Sequence, residues 1–73
     1  MDFELLDELM DKIVAQLIVR GPTSIEQLSQ LVDSTEYNVL AALRNLIEER
    51  RVQALPGGQW MAVGEYKKNS PKP

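Results

Sequence analysis

Apolar residues near the start of the chain recur at helical spacing. Phe3, Leu5, Leu6, Leu9, Met10, Ile13, Val14 and Leu17 fill about half of a helical wheel, and Glu4, Asp7, Glu8, Asp11, Lys12 and Gln16 fill most of the rest. The pattern predicts a first helix over residues 3–20. Asp2 is its expected N-cap, Gly21 its C-terminal stop, and Pro22 bars continuation. The apolar arc is wider than the stripe of a little over ~100° that docks a helix on a small core. Two readings of the surplus stand side by side: a homodimer seam containing Leu5 and Leu9 and extended by Ile18 and Val19, or a face covered by the rest of the fold.

Further along, Thr23 stands three residues before Glu26 and Ser24 three before Gln27, so either register makes a capping box for a short helix through about Val32. Ile25, Leu28, Leu31 and Val32 are its inner face. Asp33 stands three before Glu36, which predicts a third helix over residues 34–50. On that helix Val39, Leu40, Leu43, Leu46 and Ile47 are expected to face inward, and Tyr37, Asn38, Ala41, Arg44, Asn45 and Glu48 outward. Val52–Leu55 and Trp60–Val63 then alternate as two strands, and Pro56-Gly57-Gly58-Gln59 supplies a hairpin turn. Residues 1–63 thus make one domain, mainly α with a small β-hairpin. Residues 64–73, with Lys67, Lys68, Lys72, Pro71 and Pro73, are expected to be a flexible basic tail.

Composition removes several kinds of chemistry. In 73 residues there is neither cysteine nor histidine, so no disulfide, thiolate metal site or imidazole base is available, and no enzyme, metal or cofactor is expected. No apolar run reaches the ~20 residues of a membrane span, and the acidic start differs from the basic flank of a signal peptide, which points to a cytoplasmic protein without membrane contact. The net charge of −3 is unevenly spread: residues 1–36 hold two basic and eight acidic side chains, residues 37–73 six basic and three acidic. A basic third helix, hairpin and tail can therefore meet phosphate despite the acidic remainder. The acidic group Glu4, Asp7, Glu8 and Asp11 comes from one element with no loop to wrap a cation, and reads as a solvated face.

The order of three helices and a hairpin, with Leu40-x-x-Leu43-Arg44-x-Leu46 running on to Val52, resembles the winged helix-turn-helix family over roughly residues 12–63. The resemblance implies three helices plus a two-stranded wing and binding of double-stranded DNA in transcriptional regulation, with the third helix in the major groove. The family often ends this helix on glycine; here Arg50 stands there, so the helix is expected to stop without the usual left-handed glycine cap. The Pro56–Trp60 wing is similar to that of domains that bind left-handed nucleic acid, but alignment on it puts Arg44 where those carry a key tyrosine.

On the family's binding mode, Asn38, Arg44 and Asn45 are the base-reading candidates, because Asn pairs bidentately with adenine and Arg with guanine. Ala41 between them permits close approach, and Ser34, Thr35 and Tyr37 can reach phosphate oxygens beside the helix N-terminus. Arg51 is a backbone-contact candidate, and Gln59 is the wing's main polar one. An ordinary solvated face also carries Asn, Arg and Glu, and Glu48 and Glu49 oppose a polyanion. Winged helices also serve as protein-binding modules. Trp60 is then either a lid over the core or, with Leu5 and Leu9, part of a protein interface.

Overall fold

The computed structural model describes residues 3–63. The expected Asp2 cap and basic tail lie outside the described residues. Helix α1 spans Phe3–Arg20, strand β1 Thr23–Ser24, α2 Ile25–Leu31, α3 Glu36–Glu48, β2 Val52–Leu55 and β3 Gln59–Ala62. The described residues are thus mainly helical, with three helices and a small antiparallel sheet.

Each helix ends in a left-handed residue, and the bonding differs for a local reason. At the end of α1 Gly21 has φ +85, and its N–H donates to Leu17 O at 2.8 Å. Pro22 follows without an N–H, so only this single capping bond can form. After α2, Asp33 takes φ +56, with Asp33 N donating to Gln30 O and Ser34 N to Ser29 O. Arg50 takes φ +62 after α3, with Arg50 N donating to Ile47 O and Arg51 N to Leu46 O, each at 2.9 Å. Both bond pairs are Schellman motifs. Helix α3 thus stops without the glycine that usually fills this position, yet keeps the left-handed turn, which Arg50 adopts instead.

The start of α3 is also corrected. Asp33 is consumed in closing α2, and the N-cap is Thr35, whose hydroxyl accepts from Asn38 N at 3.0 Å. Ser24 caps α2 with a complete capping box to Gln27.

The expected two-stranded hairpin is part of a three-stranded sheet of order β1-β3-β2. Val52 faces Ala62 and Leu55 faces Gln59 across the hairpin, while Thr23 faces Trp60 and Ser24 faces Gln59 on the other side. β3 therefore begins at Gln59, one residue earlier than the pattern predicts, and Gly57 and Gly58 make the turn at φ +88 and +79. Thr23 is a buried strand residue whose hydroxyl donates to Gly21 O at 2.8 Å, so its polar group is not stranded in the interior.

The core joins all the helices to the sheet. Leu9, Met10, Ile13 and Leu17 of α1 meet Leu28 of α2, Val32 just after it, and Val39, Ala42, Leu43 and Leu46 of α3; Val52 and Ala62 close it from the sheet. Full burial of each large aliphatic side chain stabilises by about 1.5–3 kcal/mol. The face α3 presents inward is turned from that expected: Ala42 is buried, whereas Leu40 and Ile47 are 39% and 40% exposed. Leu9 is a core residue, which corrects its place in a free interface. Leu5, Ile18 and Val19 stay exposed. Among the described residues no helix is long and apolar enough to cross a membrane.

Candidate nucleic-acid interface

Helix α3 follows α2 after the four residues Val32–Thr35 and buries one side against α1 and α2. Its opposite side carries Tyr37, Ala41, Arg44 and Glu48, spaced so that they fall on one line along the helix. Asn38 and Asn45 flank that line on one side, Leu40 and Ile47 on the other. Tyr37, at 81% exposure, stands well clear of the surface. Ala41 opens a low point one turn before Arg44.

The polar groups differ in how free they are. Arg44 is exposed and makes no hydrogen bond or ion pair among the described residues. Asn45 Nδ2 donates to Ala41 O at 3.0 Å, which ties the amide to its own helix and leaves one amide hydrogen and Oδ1 for a ligand. The Thr35 hydroxyl accepts from Asn38 N, and its O–H remains to donate outward. Ser34 and Asn38 are half-buried beside it, where the first turn of α3 presents N–H groups and a positive dipole end.

Arg51 is engaged elsewhere. Its guanidinium lies 3.4 Å from Asp11 of α1 and 3.2 Å from Glu49, so it joins the start of β2 to α1 and covers two carboxylates. Gln59 is exposed beside the Gly57-Gly58 turn, on a different element from the α3 group. Trp60 is half-buried and packed against the core, with Thr23 and Ala54 opposite it on the neighbouring strands. This placement takes Trp60 out of an exposed interface: central in the sheet, its ring covers the core edge.

The site therefore gathers Tyr37, Ala41, Arg44, Asn38 and Asn45 on α3, with Ser34 and Thr35 at its head. Leu40 and Ile47 are additions that periodicity assigned to the core. Elsewhere, a shallow concavity of about 410 Å³ between α1 and α2 is lined by Arg20, Pro22, Thr23, Gln27, Gln30 and Leu31. No group of metal-ligating side chains occurs among the described residues. No protein-family model matches the chain, and comparison with curated proteins and with solved structures finds no match.

Proposed function

We propose that the domain is a winged helix-turn-helix module that binds double-stranded DNA, with α3 in the major groove and the β2–β3 hairpin as its wing. The carrying observation is the outward line of α3, where Arg44, without an ion-pair partner among the described residues, lies one turn from Ala41 with Asn45 beside it. In that pose the Arg44 guanidinium reads guanine O6 and N7, and Asn38 or Asn45 meets an adenine edge. Thr35 O–H, Tyr37 O–H and the free N–H groups of the first turn of α3 donate to phosphate. Glu48 and Glu49 lie in and just after the last turn, away from the end that enters the groove in this motif.

Fluorescence anisotropy with mixed-sequence duplexes, at low and then moderate salt, tests the reading. Binding should weaken steeply with salt, because phosphate contacts release counterions. Arg44→Ala should cost about 1–3 kcal/mol against a selected site. Salt-insensitive binding, or no binding at low salt, would overturn it.

A second reading, a protein-binding module, is favoured by Leu40 and Ile47. Their partly exposed side chains flank Arg44 on one side of the outward line of α3, and Glu48 lies one turn from Arg44. On this reading Leu40→Ser would abolish capture of the partner, while Arg44→Ala would not.

A further inference from the structure

Leu5, Glu8, Lys12, Ala15 and Val19 of α1 follow the alternating three- and four-residue spacing of a coiled-coil seam, and all five are exposed. Leu5 is 55% and Val19 81% exposed. Among the described residues neither Glu8 nor Lys12 has an ion-pair partner. We infer that this stripe pairs with the same stripe of a second copy of the chain, antiparallel about a two-fold axis, with Glu8 against the partner's Lys12.

Charge and shape select the same register. Leu5 precedes Glu8 by the three residues that separate Lys12 from Ala15, so placing Glu8 on the partner's Lys12 also places Leu5 on the partner's Ala15. The axis is then ringed by four alternating charges. A parallel pairing would set glutamate on glutamate and lysine on lysine. Beside Ala15 lies a concavity of about 300 Å³, walled by Lys12, Ala15 and Gln16 on one side and Leu31, Val32 and Asp33 on the other. The partner's Leu5, arriving over the small Ala15, enters this concavity and meets Leu31, as a knob enters a hole. The stripe and the outward line of α3 look away from each other, because α1 and α3 pack through their buried sides. Dimerisation therefore needs no nucleic acid and leaves both α3 faces open.

In this register the paired stretch runs from Leu5 to Ala15, only about 15 Å at the helical rise, and Val19 lies beyond it. Such an interface falls at the small end, under ~1,200 Å² in all, and forms weakly. Sedimentation equilibrium in low salt, from roughly 10 μM to 1 mM to span such weak association, should show the mass rising from 8.3 kDa toward twice that value. Glu8→Lys puts four lysines around the axis and Lys12→Glu four glutamates, so each variant alone should stay monomeric. An equimolar mixture of the two should dimerise, since every lysine then faces a glutamate. Ala15→Gln, which fills the hole without adding charge, should also give a monomer. The inference is overturned if the wild-type chain stays at the monomer mass, if any of the three variants self-associates as the wild type does, or if the charge-reversed mixture stays monomeric.

Discussion

Arg50 is the residue whose conformation most contradicts its chemistry. At φ +62 its Cβ crowds the following carbonyl, a strain of roughly 1–2 kcal/mol that only glycine escapes. The strain persists because two bonds depend on the turn: Arg50 N to Ile47 O and Arg51 N to Leu46 O, both 2.9 Å. Glycine would remove the strain but brings about 0.5–1 kcal/mol of extra chain entropy to the unfolded state. The arginine also places a cation near the negative end of α3, a contribution of about 0.3–1 kcal/mol at low ionic strength. Comparing Arg50→Gly with Arg50→Ala cancels that charge. Glycine should be the more stable of the two by about 1 kcal/mol, or about 4–8 °C in Tm for a domain of this size. Thermal and urea unfolding followed by far-UV circular dichroism read the difference. If the alanine variant equals or exceeds the glycine variant, the left-handed reading of the α3 terminus is wrong.

Two further substitutions test the other helix ends. Gly21→Ala should cost about 1 kcal/mol in urea unfolding, and the cost should be conformational alone, since a Cβ there meets nothing within 4 Å while φ stays at +85. Thr35→Ala should lower stability by about 0.5–2 kcal/mol through loss of the bond to Asn38 N, and Thr35→Ser should restore most of it; equal stability of Ala and Ser would remove Thr35 as the cap.

What was legible in the sequence was whatever depends on neighbours along the chain. The limits of α1 follow from its wheel and from Gly21-Pro22, and Ser24 caps α2 in one of the two registers that the spacing allowed. β1 was hidden because Thr23 and Ser24 are two residues with strong capping chemistry, and their strand character comes only from pairing with Trp60 and Gln59. The start of α3 was misplaced because Asp33-x-x-Glu36 and Thr35-x-x-Asn38 are rival N-terminal signals, and the Schellman closure of α2 decides between them. The inner face of α3 was turned because Leu40 and Ile47 are larger and more apolar than Ala42, and side-chain size does not reveal which side of the helix packs inward; Ala42 is the one fully buried. Within the candidate site, the line through Tyr37, Ala41 and Arg44 was legible from helical spacing. The engagement of Arg51 was not, because Asp11 lies 40 positions away.

That engagement bears on how an acidic chain can hold a polyanion. Both Arg51 pairs are substantially exposed, so their effect on stability is at most about 1 kcal/mol. Their larger consequence is electrostatic, because Arg51 offsets Glu49 just beyond the last turn of α3. Uncovered, a carboxylate on the order of 10 Å from a phosphate repels it by about 0.4 kcal/mol in water before screening. On the DNA-binding reading, Arg51→Ala should therefore weaken DNA binding about twofold at low salt, and less at physiological salt, where the Debye length of ~8 Å is shorter than that separation. If Arg51 acts only by covering its neighbours, Glu49→Gln in the same chain should restore most of the lost affinity. If it grips phosphate directly, the double variant should stay as weak as Arg51→Ala, and the salt slope should fall by about one. The cycle of four anisotropy titrations thus distinguishes a guanidinium that touches DNA from one that keeps a carboxylate from repelling it.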